Sequence, residues 1–121
     1  SAFVSFPMDA EKMRKGAEYL VGEHDFVSFC NIRTSVSDTV RTVHSITVVQ
    51  NGPDIVLRIT GNGFLYHMVR IIAGTLIRVG RGFYAPEKVK EILEEKKRTA
   101  AGVTAPASGL VLVSIDYKKG Y

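Results

Sequence analysis

The longest apolar stretch of the chain, residues 64–79 with the sequence FLYHMVRIIAGTLIRV, places the strongest constraint on the fold. Its length predicts a helix rather than a strand. Apolar side chains fall on more than one face of that helix, and a helix of this kind is normally buried between structural layers or against another domain. Arg70 and Arg78 interrupt the stretch, so no apolar run approaches the roughly 20 residues of a membrane span. We therefore expect a buried helix in a globular domain and no association with a membrane.

Arg70 stands in the middle of this predicted helix, where the apolar pattern does not favour a charged residue. A guanidinium group stays protonated in proteins, and burying it without a partner is costly. Two interpretations remain open from the pattern alone. In the first, Arg70 extends to the surface or pairs with an acid of the same domain. In the second, Arg70 holds an active-site carboxylate in its charged form.

Helices are also predicted near the N-terminus and after the apolar stretch. Residues 9–22 (DAEKMRKGAEYLVG) begin with Asp9 as the N-cap, and Pro86 opens a short helix over residues 86–97 (PEKVKEILEEKK). The apolar stripe of the first of these helices comprises Met13, Ala17, Leu20 and Val21. Between them, Phe26 and Phe29 are spaced to lie on the same side of a single helical turn.

Strands are predicted in the middle and at the end of the chain. Two runs rich in β-branched residues flank the turn sequence at 51–54 (NGPD), which predicts an antiparallel hairpin between Val40 and Gly61. Apolar and polar residues alternate only imperfectly in the first of these runs. Residues 110–117 (LVLVSIDY) form a final strand, and residues 2–6 (AFVSF) are a candidate additional strand.

This order of helices and strands predicts a single α+β domain over residues 1–121. The expected architecture is a ferredoxin-like two-layer sandwich, in which an antiparallel sheet has its helices packed on one face. Apolar residues make up 45% of the chain and charged residues 23%, which excludes disorder and coiled coil. A single cysteine, Cys30, excludes an internal disulfide and a thiolate metal cluster. Together with an N-terminus that lacks the pattern of a signal peptide, it predicts a cytoplasmic protein.

Charge is distributed unevenly along the chain. Residues 61–121 carry ten basic and five acidic side chains, a net charge of +5, whereas residues 1–60 carry a net charge of −1. Lys96, Lys97 and Arg98 form an unbalanced basic cluster at the end of the last predicted helix. A basic half suggests a polyanionic partner, with nucleic acid ahead of a membrane. An ordinary solvated surface is the alternative.

Four motifs in this order and spacing resemble the C-terminal half of the tRNA pseudouridine synthase A family. They are GEHDFVSF at 22–29, VRT at 40–42, GNGFLYHMVRIIAGTLIRVGRG at 61–82 and TAPASGLVLVSIDY at 104–117. The FLxHMVR and APAxGL patterns together are highly specific. The resemblance extends over nearly the whole chain, from Asp9 to Tyr117.

The resemblance implies an isomerase that converts uridines in the anticodon stem-loop of tRNA to pseudouridine, without a cofactor or metal and as a homodimer. It assigns to Arg70 the role of pairing with the catalytic aspartate, and to Leu110 a place in the wall of the uracil pocket. The other site residues that we expect are His67 and Phe64 at the substrate, and Arg41, Lys96, Lys97 and Arg98 at the RNA.

The catalytic aspartate of the family lies in a GRTDAGVHA-like motif of the N-terminal half, and this chain contains no such motif. The chain therefore resembles one half of an enzyme, and we expect it to be inactive without the missing N-terminal half. Two other classes are weighed against this interpretation: a standalone ferredoxin-like RNA-binding module without catalysis, and a structural dimerisation domain. The RNA-binding module would require exposed aromatic residues on the sheet, and the hairpin strands contain none.

Overall fold

A computed structural model describes residues 8–30, 38–51, 54–63, 68–97 and 111–117. These residues form three helices and four strands, and a short 3₁₀ turn at Val27–Phe29 follows the first strand. In chain order the elements are α1 (Ala10–Glu18), β1 (Gly22–Asp25), β2 (Val40–Asn51), β3 (Asp54–Gly61), α2 (Met68–Gly80), α3 (Lys88–Glu95) and β4 (Val111–Tyr117).

The four strands form one sheet in the order β1-β2-β3-β4. The first three strands are antiparallel to their neighbours, and β2 and β3 form the predicted hairpin. The last strand, β4, pairs with β3 in parallel, because the chain between them crosses over through α2 and α3 rather than through a tight turn. The α+β prediction is confirmed, with the difference that the sheet is mixed: three antiparallel strands and one parallel edge strand.

A β-bulge explains the imperfect alternation of β2. The register of the β2–β3 pair shifts between Val43 and Ser45. The extra residue moves the inward positions by one, so both Val43 and Val48 are buried although they are an odd number of residues apart. On β3, where no bulge interrupts the alternation, Ile55, Leu57 and Ile59 are all buried against the helices. The helices thus cover one face of the sheet, as predicted.

The predicted helices are present, and the first and the last of them, α1 and α3, are shorter than expected. Asp9 caps α1 as expected, since its side chain accepts a hydrogen bond of 3.2 Å from the backbone N–H of Lys12. However, α1 ends at Glu18, and Val21 therefore lies beyond the helix and is 39% exposed. The assignment of Val21 to the apolar stripe was wrong, whereas the other three members of the stripe are buried.

Two glycines let the helices approach each other closely. A Cβ atom at Gly80, the last residue of α2, would lie 2.8 Å from the Sδ atom of Met13 on α1. A Cβ atom at Gly16 would lie 3.1 Å from the side chain of Val89 on α3. The three helices therefore form one layer, in which α1 packs against both α2 and α3.

The sequence did not predict β1, and the structure shows why residues 22–29 carry two elements. Gly22 begins β1 with a φ of +108°, and Asp25 ends it by accepting hydrogen bonds from the N–H of Val27 and the hydroxyl of Thr39. Phe26 and Phe29 are both fully buried and meet edge to face, with ring centroids 6.2 Å apart, as their spacing predicted. The candidate strand at residues 2–6 lies outside the described residues.

Candidate functional site

Arg70 is the one exposed residue of α2, a helix that is mostly buried. Ten of the thirteen residues of α2 are buried, including Val69 and Ile71 on either side of Arg70. The three that are not buried are Arg70, Ile77 and Arg78, whose spacing of seven and eight residues places them on one stripe of the helix. The side chain of Arg70 thus reaches the surface from a rigid base, and its charge does not bear the cost of burial.

The same stripe continues toward the C-terminal end of α2. The guanidinium of Arg78 donates a hydrogen bond of 3.2 Å to the backbone carbonyl of Gly74, one turn earlier. Gly74 itself is buried in the helix. The side chain of Arg78 therefore folds back along the surface of α2.

Arg41 and Asn62 define the corner at which the chain leaves the sheet for α2. Asn62 donates its N–H to the carbonyl of Thr42, and its side-chain oxygen accepts the N–H of Thr42, both at 3.1 Å. Arg41 lies beside Gly63 and donates hydrogen bonds to the carbonyls of Asp38 and Val40, at 3.0 and 2.7 Å. The backbone on both sides of Arg41 is therefore held in place, and its half-buried side chain lies beside Gly63.

Lys96 and Lys97 are exposed and follow α3 directly. Lys96 adopts a left-handed conformation with a φ of 53°, which ends the helix. The N–H of Lys97 donates a hydrogen bond of 2.8 Å to the hydroxyl of Ser28, which is fully buried in the 3₁₀ turn. The backbone of this basic pair is thereby attached to the interior of the domain.

The remaining predicted site residues, Phe64, His67, Arg98 and Leu110, lie outside the described residues. Two of them adjoin described elements: His67 directly precedes α2, and Leu110 directly precedes β4. Their assignments stay predictions.

Sequence reasoning missed two residues that organise this region, Ser28 and Asn62. A serine between apolar residues in FVSF indicates a buried hydroxyl that needs partners, and this signal was available. Its partners, however, are 64 and 69 residues away, and no local pattern identifies them. The asparagine in GNGF was equally open to interpretation as a simple turn residue.

The residues that the structure describes bear on two further kinds of site, metal centres and membrane spans. Over these ranges, no three His, Cys, Asp or Glu side chains lie close enough to share a metal ion. No helix among them has the length and apolar character needed to cross a membrane.

Comparison with known proteins gives one consistent result. The profile of a family described as tRNA pseudouridine synthase matches residues 17–118. Proteins named tRNA pseudouridine synthase A are similar over 93% of this chain: those of Anoxybacillus flavithermus and Bacillus subtilis are each 48% identical to it, and that of Bacillus velezensis is 50% identical. The matched part is 46% of each of these relatives, so the chain spans about half their length.

Proposed function

Because the chain belongs to the tRNA pseudouridine synthase family, we propose that it forms one part of an isomerase that converts uridine to pseudouridine in the anticodon stem-loop of tRNA. In this reaction the bond between the ribose C1′ and N1 of uracil breaks, the base turns within its pocket, and C1′ bonds to C5. The proton at C5 is lost and N1 gains one, so the product is an isomer of the substrate. The target base must first leave its stack.

The second part of the proposal concerns the division of roles. The chain contains no GRTDAG-like motif and spans about half the length of its relatives. The aspartate that attacks the nucleotide therefore belongs to another segment, the N-terminal half of the complete enzyme. This chain supplies an arginine, a wall of the uracil pocket and part of the tRNA-binding surface.

The exposed position of Arg70 on a buried helix is the observation that carries this assignment. A guanidinium presents a planar pair of donors that fits a carboxylate in two-pronged fashion. Because the helix beneath it is packed on most sides, Arg70 projects from a fixed point of the domain surface. It can meet a carboxylate that another segment brings to this surface, and it would then hold that carboxylate in its charged form.

The proposal extends to the residues that contact the substrate and the RNA. We propose that Leu110 lines the uracil pocket, as the resemblance implies, and that His67 and Phe64 contact the substrate. We further propose that Arg41, Lys96, Lys97 and Arg98 contact tRNA phosphates. The exposure of Lys96 and Lys97 and the net charge of +5 over residues 61–121 support this second assignment.

Family membership favours this enzyme over a standalone RNA-binding module or a dimerisation domain. The sheet supports the same choice, since neither strand of the β2–β3 hairpin contains a phenylalanine, tyrosine or tryptophan, the rings that an RNA-binding sheet usually offers to bases; His44 is the one ring side chain on these two strands. We also propose that the complete enzyme is a homodimer that acts in the cytoplasm. The resemblance implies the first statement, and the single cysteine supports a reducing compartment.

We expect tRNA binding by this chain to depend strongly on salt, and to depend on the two lysines. The logarithm of the binding constant should fall linearly with the logarithm of salt concentration, since each phosphate contact releases counterions. Replacing Lys96 and Lys97 by glutamine should reduce that slope by about one to two units. Filter binding of tRNA at several salt concentrations between about 50 and 200 mM measures the slope.

The matched control replaces Lys12 and Lys15, two exposed lysines of α1, by glutamine. This variant removes the same charge from another face and should keep the wild-type slope. Salt-insensitive binding by the unmodified chain would contradict the proposal, as would equal slopes for the two double variants.

A further inference from the structure

Ser28 makes two hydrogen bonds that no local sequence pattern indicates. Its hydroxyl donates to the backbone carbonyl of Ile92 and accepts from the backbone N–H of Lys97, both at 2.8 Å. The side chain is fully buried, and it lies in the 3₁₀ turn that also holds the buried ring of Phe29. One hydroxyl therefore connects the hydrophobic core to the end of α3.

The two partners of Ser28 are the groups that act as donor and acceptor in a hydrogen bond commonly found at the C-terminal end of helices. Lys96 is left-handed and follows the last helical residue, Glu95. In the Schellman ending of a helix, the N–H of the residue after the left-handed one bonds to the carbonyl five residues earlier. In α3 these two groups are the N–H of Lys97 and the carbonyl of Ile92. The hydroxyl of Ser28 takes the place of that direct bond and bridges the two groups.

A bridging hydroxyl has a different consequence from a direct bond. Without it, the N–H of Lys97 and the carbonyl of Ile92 could satisfy each other, so the serine is not required to pair these polar groups. The serine instead separates these two groups. Its hydroxyl lies between the N–H of Lys97 and the carbonyl of Ile92, so Lys97 lies farther from the end of α3 than a direct bond would place it. The serine also fixes this part of the chain to the core, which reduces the ordering cost when the lysines bind a ligand.

We propose that Ser28 is a positioning residue for tRNA binding: its hydroxyl acts as a spacer that places Lys96 and Lys97 where their ammonium groups reach tRNA phosphates. The proposal rests on the tRNA-binding role proposed above for these two lysines. Ser28 is buried and touches no RNA itself. When Ser28 is replaced by alanine, the end of α3 closes to the direct bond, and the two lysines move away from the phosphates while the domain stays folded.

The test compares variants of the 121-residue chain in tRNA filter binding over a range of salt concentrations. Ser28→Ala should weaken tRNA binding about tenfold at low salt and should reduce the salt slope by about one to two units, as Lys96→Gln with Lys97→Gln does. If Ser28→Ala fails to fold by circular dichroism, Ser28→Cys replaces it, since a thiol leaves no cavity, being somewhat larger than a hydroxyl, but forms much weaker hydrogen bonds. Its salt slope is judged by the same criterion.

Thr75→Val is the matched control. Thr75 is also fully buried, and its hydroxyl bonds to the carbonyl of Ile71 within α2 at 2.9 Å. Removing that hydroxyl should lower the melting temperature to a similar extent but should leave the salt slope unchanged. A merely structural role of Ser28 would make the two variants alike in both measurements.

The outcomes separate the two proposals. A reduced slope for Ser28→Ala and an unchanged slope for Thr75→Val support the spacer. A reduced slope for the double lysine variant, with a wild-type slope for Ser28→Ala, overturns the spacer and leaves the tRNA-binding surface in place. An unchanged slope for the double lysine variant overturns the proposed role of the lysines. It also overturns the spacer proposal, which depends on that role. An equal reduction for Thr75→Val and Ser28→Ala overturns the spacer in favour of general destabilisation.

Discussion

Replacing Arg70 by methionine in the complete enzyme is expected to lower turnover on tRNA by about 10²- to 4 × 10³-fold. Losing one partner of a desolvated ion pair costs about 3–5 kcal/mol, and about 1.4 kcal/mol corresponds to a tenfold change in rate. Affinity for tRNA should change less than about threefold, because the proposal assigns the phosphate contacts to other residues. Single-turnover kinetics and filter binding measure the two quantities separately.

Two further variants define what Arg70 contributes. Arg70→Lys keeps the positive charge but loses the planar pair of donors, so it should recover little of the lost rate. Arg81→Met makes the same arginine-to-methionine substitution at an exposed residue just beyond the C-terminal end of α2. This control should leave turnover near the wild-type value. Normal turnover by the lysine variant would contradict the proposed role. A parallel loss of affinity and turnover in Arg70→Met would assign Arg70 to phosphate binding instead.

Phe29→Ala is expected to lower the free energy of unfolding by about 3–5 kcal/mol, the usual cost of truncating a buried aromatic residue. Phe29 is fully buried and packs edge to face on Phe26. The 3₁₀ turn that carries it contacts both α2 and α3, so the cavity would open where these elements meet. Urea denaturation followed by circular dichroism gives the change.

The matched control for this substitution is Phe83→Ala in the loop between α2 and α3. Phe83 is 66% exposed, and removing its ring should change the free energy of unfolding by no more than about 0.5 kcal/mol. Equal losses in the two variants would contradict the assignment of Phe29 to the core.

The local features of the fold could be predicted from the sequence because their determinants are close together in the chain. The hairpin is read from the turn at 51–54 and the strands beside it, and the N-cap of α1 is read from Asp9. The burial of α2 follows from apolar residues on more than one of its faces. In each case one short segment contains the whole signal.

Features that depend on distant partners could not be predicted in this way. The strand β1 is four residues long and exists because it pairs with β2, which begins 15 residues after β1 ends. The parallel pairing of β4 depends on the path of the crossover through two helices. The bulge in β2 was visible only as imperfect alternation, since the register of β3 defines which residue is extra.

The candidate site shows the same limit. The apolar pattern around Arg70 indicated that its guanidinium needs a carboxylate, a phosphate or water, but the pattern could not choose among them. The structure adds that the side chain reaches the surface. Ser28 is the opposite case, because its need for partners was visible in FVSF while the partners themselves, at Ile92 and Lys97, follow only from the folded chain.

Release of tritium from tRNA labelled at C5 of uridine tests most directly the claim that this chain supplies an arginine but not the nucleophile. The purified 121-residue chain alone should release none above background, because no segment of it carries the aspartate motif. The same chain mixed with a separately produced half that carries the aspartate should release tritium, and a mixture containing the Arg70→Met chain should release far less. Turnover by the chain alone would contradict the account, since the nucleophile would then lie within these 121 residues.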